Sequence, residues 1–168
     1  MSKLRFLLAF LFWFAVLLVV WTHTDAALLW QRALVFAGAY LGPTVHGWNL
    51  VTSADGPPTW VHGEARVPLG VNFEALAVGV VPALALLAAT PSATVRRRLT
   101  LCGLGIALMF AAHLVAIVLF PLLTFHKNAV TDVTGTFVGL VAFVGAPVII
   151  WFWLVYDQLK EWLPALRR

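Results

Sequence analysis

The stretch Gly70–Phe120, GVNFEALAVGVVPALALLAATPSATVRRRLTLCGLGIALMFAAHLVAIVLF, decides how this chain is built. Two apolar segments flank a short basic stretch, which predicts a membrane helical hairpin with Arg96, Arg97 and Arg98 at its bend. Polar side chains are scarce in it. Asn72, Glu74 and His113 stand out, and an ionisable group inside an apolar span is costly enough to be a candidate for function.

Working outward, composition sets the class. The chain has 168 residues, 62% hydrophobic and 11% charged, and its mean hydropathy is +0.94. Such a chain has too little polar surface to cover a soluble globule, and several of its apolar runs are long enough for a bilayer. The formal charge of +4 does not indicate nucleic acid, because the basic residues sit at segment ends and no basic face with interleaved aromatics is present. Cys102 is the only cysteine, which excludes an intrachain disulfide and a cysteine metal cluster.

Four spans are expected, at about 4–22, 73–90, 99–123 and 133–156. The first follows a basic flank and runs through sixteen apolar residues, Phe6 to Trp21. Its length and bulky aromatics favour an uncleaved span over a signal peptide. Residues 25–42 are amphipathic, interrupted by Gln31 and Arg32 and closed by Gly42 and Pro43, and are expected to lie in the interface. With that helix outside the count, Lys3, Arg5, Arg96, Arg97, Arg98, Lys160, Arg167 and Arg168 share one side, and Arg32, Arg66 and Lys127 the other. The positive-inside rule makes the first side cytoplasmic, with both termini there.

Between Pro43 and Pro68 helical periodicity disappears. HGWNLVT and TWVHGEARVPL flank the turn cluster SADGPP, so a β-hairpin on the outer surface is expected over about 43–70, with Trp48 and Trp60 at headgroup level. His46 and His62 lack a third placed ligand, so no metal is assigned to them. The outer loop after Pro121 carries His126, Lys127 and Asp132, polar enough to contact a peptide or partner. Glycines and alanines on the last two spans, among them Gly103, Gly105, Ala112, Gly135, Gly139 and Ala146, predict close helix packing. The fold class is therefore an all-α integral membrane protein: four transmembrane helices, one interfacial amphipathic helix and a small extracytoplasmic β-hairpin, in one domain over 1–168.

The order of these parts resembles the exosortase and archaeosortase family, most of all its small exosortase H type or an exosortase H-associated membrane protein. The closest local similarity is Gly70-Val71-Asn72-Phe73-Glu74-Ala75 against the family's Gly-Cys-Asn-Gly-Leu-Glu-Ala, followed by Pro91 and the arginines. The resemblance implies a bacterial cytoplasmic (inner) membrane protein related to transpeptidases that process C-terminal sorting signals with a Cys nucleophile, an Arg and a further basic residue. In such chemistry a thiolate attacks an amide carbon and cationic donors stabilise the oxyanion. This chain departs from the pattern at each role. Val71 stands at the position of the Cys, Ala116 at that of the Arg in His113-Leu114-Val115-Ala116, and the segment Asp132–Gly135 has no histidine. Cys102 lies near the cytoplasmic end of its span, on the wrong side for outer processing.

The expectation is thus a non-catalytic exosortase-like protein, an accessory or partner subunit in exosortase-linked sorting, without cofactor or metal. Its partners would be the bilayer and a catalytic exosortase or a sorting-signal helix. Asn72, Glu74, His113, His126 and Asp132 are its candidate binding or structural polar residues. Two alternatives stay open: a membrane hydrolase built on His113 and Glu74, and a structural subunit of an unrelated membrane complex. Haem ligation at His113 would need a second intramembrane histidine, and the chain has none.

Overall fold

In a computed structural model, residues 3–52, 57–69, 77–90, 94–125 and 129–162 are described. In chain order they form α1 (Lys3–His23), α2 (Ala26–His46), β1 (Asn49–Val51), β2 (Thr59–His62), β3 (Ala65–Pro68), α3 (Ala77–Ala89), α4 (Val95–Phe125), α5 (Ala129–Gly139), a π-helical turn (Leu140–Gly145) and α6 (Ala146–Trp162). The bundle is organised around α3. This short helix is apolar on every side, and Val80, Val81, Ala83, Ala85, Leu87, Ala88 and Ala89 are buried against α1, α4, α6 and the π turn. A helix apolar all round has no solvent face to offer and becomes core. Its alanines let neighbours come close. The first helix has the opposite character: Leu4, Leu8 and Phe12 are exposed, as suits a side facing acyl chains.

Among the described residues, three helices are long and apolar enough to cross a membrane: Leu4–His23, Val95–Phe125 and Val130–Lys160, the last running through α5, the π turn and α6. The chain is an all-α membrane protein with a small sheet. The described part of α3 is a shorter apolar helix, and residues 70–76, which include the start of the span expected from 73, lie outside the described residues. The arginines are helical. Arg96, Arg97 and Arg98 form the first turn of α4, because Thr94 caps it: its Oγ1 accepts from Arg97 N–H at 3.3 Å and its carbonyl accepts from Arg98 N–H at 2.9 Å.

Specific contacts gather the basic residues at one end. Phe6 of α1 meets Trp151 of α6 with ring centroids 6.1 Å apart. Trp151 Nε1–H donates to Thr90 Oγ1 at the end of α3, 3.2 Å, and Thr90 donates to Leu86 O, 2.9 Å. With the Gln158 amide turned to match, its oxygen accepts from Arg97 Nε and Nη2 at 2.9 Å each, tying the start of α4 to the end of α6. Lys160 pairs with Asp157 nearby at 3.7 Å.

The opposite end carries α2 and the sheet. The sequence predicts that α2 stops at Gly42-Pro43, yet it continues to His46 and ends at Gly47, whose left-handed backbone (φ 76°) directs its N–H to Pro43 O. Gly42 serves close approach instead of termination. A Cβ there would collide with the Trp60 ring and lie 2.7 Å from Trp48 O. His46 fastens this corner: Trp48 N–H donates to its Nδ1 at 3.1 Å, so the ring proton is on Nε2, which donates to Val118 O at 2.9 Å.

The expected hairpin is present and extended. β1 pairs antiparallel with β2 in the register Leu50↔Trp60, and β2 pairs with β3 in the register Val61↔Arg66. The third strand forms because Gly63 takes φ 59° in a tight turn with Glu64. Residues 43–46, expected in the hairpin, are helical. Trp48 and Trp60 are not displayed at the surface. Trp60 is fully buried, in one core cluster with Leu34, Leu50 and Ile117, and Trp48 packs edge-on against Phe125 at 5.1 Å.

Candidate functional site

Two adjacent sectors of α4 hold what can be described of the site. The first is centred on His113, which is fully buried. Trp30 Nε1–H donates to His113 Nδ1 at 3.3 Å, which fixes the neutral tautomer with its proton on Nε2. Phe143 of the π turn lies against the ring at 5.0 Å, and Trp30 stands edge-on at 5.9 Å. Nε2 has no hydrogen-bond partner among the described residues. It faces Gly79 of α3, where a Cβ would sit 3.2 Å from Nε2, 3.1 Å from Phe143 O and 3.0 Å from Met109 Cε. His113 thus braces four elements: α2, α3, α4 and the π turn.

His113 lies in the second half of α4. Eighteen residues separate it from the start of α4, about 27 Å by helical rise. The 21 residues of α1 span about 31 Å on the same scale. Trp21, in the last turn of α1, touches Trp30 at 6.2 Å. His113 is therefore level with the end of α1, beside the turn into α2.

The second sector opens between α4 and α5. A cleft of about 290 Å³ is walled by Ala116, Phe120, Leu123, Val138 and Phe143, with Asp132 and three threonines among its lining residues. Two of those hydroxyl protons are committed to backbone: Thr124 Oγ1 donates to Phe120 O at 2.7 Å and Thr136 Oγ1 to Asp132 O at 2.9 Å. Their oxygens remain acceptors. Asp132 belongs to the first turn of α5, where a carboxylate complements the helix dipole. No described residue forms a salt bridge with it.

Ala116 and Val138 also line a second concavity of about 400 Å³, apolar throughout, between Ala111–Leu119 of α4 and Phe137–Ala146. The polar-mouthed cleft and the apolar groove therefore share a wall. The π turn adds Phe143 to the cleft and Val141 and Ala142 to the groove; Ala146 N–H reaches back to Val141 O, and the wider ring of a π turn is a frequent feature of functional sites.

Of the sequence candidates, His113 and Asp132 are placed, in neighbouring sectors and not facing each other across one site; Phe143 contacts the first and lines the cleft of the second. Asn72, Glu74 and His126, together with Val71, lie outside the described residues. His46 meets Trp60 edge-on at 5.2 Å, and His62 lies tilted against Trp48 at 5.4 Å. Among the described residues no three His, Cys, Asp or Glu side chains group to hold a metal. Cys102 is half-buried and packs with Leu87, Leu101, Val155 and Leu159 toward the basic end. Trp30 and the π turn were not legible as site elements; the only sequence signal was a tryptophan beside the polar pair Gln31-Arg32. In comparisons with known proteins, no protein-family model, no curated protein and no solved structure matches the chain.

Proposed function

We propose that this chain is a non-catalytic, exosortase-like membrane protein that acts as an accessory or partner subunit in exosortase-linked protein sorting, by seating an apolar helix beside α4 and α5. The observation that carries this reading is Ala116. It stands where the resemblance expects a catalytic Arg, and it forms the wall shared by the cleft and the apolar groove. A methyl group provides neither charge nor donor for an oxyanion. It provides room.

In this reading four segments cross a bacterial inner membrane: α1, the segment ending in α3, α4, and α5 through α6. The clustering of Lys and Arg residues at one end of the bundle supports placing that end and both termini in the cytoplasm. The second helix lies in the outer interface. Its polar Gln31 and Arg32 and its exposed Phe36 and Tyr40 suit the headgroup layer better than acyl chains.

The test is purification of the tagged chain from its source cells in mild detergent with the sheet intact. A catalytic exosortase is expected to come with it in stoichiometric amount. Repeated purifications that recover none sink the accessory role.

A further inference from the structure

Resting on that reading and naming what the site recognises, we propose that the cleft at Asp132 receives a cationic side chain from a partner's transmembrane helix. The donor is a Lys or Arg near the end of that helix that lies beside the sheet, and the helix itself occupies the apolar groove. The argument begins with shape. From Ala111 to Thr124 on one wall and from Asp132 to Ala146 on the other, cleft and groove together run about 20 Å, close to four helical turns. Small side chains, Ala112, Ala116, Gly139 and Ala142, lie along this run, so another helix can bring its backbone near.

Polarity along the run is uneven, and that unevenness selects the occupant. The lining is apolar until the end near the sheet, where Asp132 and the hydroxyl oxygens of Thr124 and Thr136 appear. Asp132 is exposed at the mouth of the cleft, beside Phe120, Leu123 and Val138, where its carboxylate would draw a counter-charge. No described residue supplies one. The cleft's 290 Å³ accommodates a single long basic side chain, whose methylenes would lie on the apolar walls while the charged head meets Asp132. A phospholipid fits less well, because its phosphate would bring negative charge against the same carboxylate.

The experiment uses the full chain in phosphatidylcholine vesicles and a fluorescent synthetic helix of about 20 Leu and Ala residues. One probe carries a single Lys near one end and a control carries norleucine there. Energy transfer is expected to show the Lys probe binding at least about tenfold tighter than the control, an ion-pair effect of ordinary size. Asp132→Asn should erase the difference, and Asp132→Lys should transfer the preference to a probe bearing Glu. Ala116→Arg, which places a cation in the cleft from within the chain, should remove the Lys preference. Equal binding of the Lys and norleucine probes overturns the proposal. So does a phospholipid that stays bound through delipidation and is not displaced by the probe, or self-association through the groove that excludes it. The probe assay involves no exosortase, so failure of the accessory role and failure of this recognition are read separately.

Discussion

His113 and Ala116 stand three residues apart on α4, yet their surroundings differ in kind. His113 is enclosed: Trp30 donates to one nitrogen, Phe143 covers the ring, and the missing side chain of Gly79 admits its other nitrogen. Ala116 ends at a methyl group and borders a cleft and a groove. Three residues along a helix turn the side chain by about 60°, enough to move from the sector packed on α2 and α3 to the sector facing α5. The difference teaches how one helix divides labour. A polar group buried among apolar neighbours requires a partner and tight packing, which makes it a brace. A small apolar group requires neither and leaves volume for a ligand. Phe143 takes part in both, with its ring on His113 and its edge of the π turn on the cleft.

Substitutions on the two sectors should separate cleanly. The largest effect is expected at Gly79→Val, since the added atoms meet Phe143 O, a backbone atom that cannot swing aside. Overpacking of this kind should cost about 3 kcal/mol, read as a lowered midpoint in detergent unfolding, and an unchanged midpoint would refute the tight seat of His113. His113→Leu keeps most of the volume but leaves the Trp30 indole N–H unpaired, a loss of about 2 kcal/mol. Trp30→Phe removes the donor while keeping a ring against Phe110 and His113. Its cost should be near 1 kcal/mol, with the ring proton of His113 freed to exchange between its two nitrogens, visible by nitrogen NMR of labelled histidine.

How much of this contrast was legible beforehand follows from the range of the forces involved. Apolar runs, basic flanks and the SADGPP turn are local patterns, so the membrane class, the first and last long helices and the β1–β2 pairing were readable from residue order. The end of α2 was misread because Gly42-Pro43 is a stop signal locally, whereas the glycine is there to admit Trp60, which lies eighteen residues further along. Trp48 and Trp60 were assigned to the headgroup layer by the general habit of membrane tryptophans. Their burial depends on packing against α2 and Phe125, which no local pattern encodes. Of the site, His113 was conspicuous as a lone polar residue in an apolar run. Its partner Trp30 is 83 residues away, and nothing in either neighbourhood signals the pairing. Ala116 was noticed only as a departure from a resembled motif, and its role as a wall required α5 and the π turn to be in place.

The smallest effect on stability should come from the open sector, and it sharpens the comparison most. Ala116→Leu adds three carbons where cleft and groove meet, in space that the chain itself leaves unfilled. Ala116 is itself buried, but the added carbons would extend toward Phe120 and Val138 at the cleft and the groove, so the unfolding midpoint should shift by no more than about 1 kcal/mol equivalent, the low end for overpacking. Binding of the basic helix probe should nonetheless fall by about tenfold or more, since about 1.4 kcal/mol of blocked contact is sufficient for that. An Ala116→Leu variant that is strongly destabilised would show that α5 leaves no room beside Ala116. One that is stable and still binds the probe would show that the shared wall does not control entry. Either result dissolves the division between the two sectors of α4, whereas a stable variant that no longer binds establishes that volume at Ala116, and not the brace at His113, is what the partner requires.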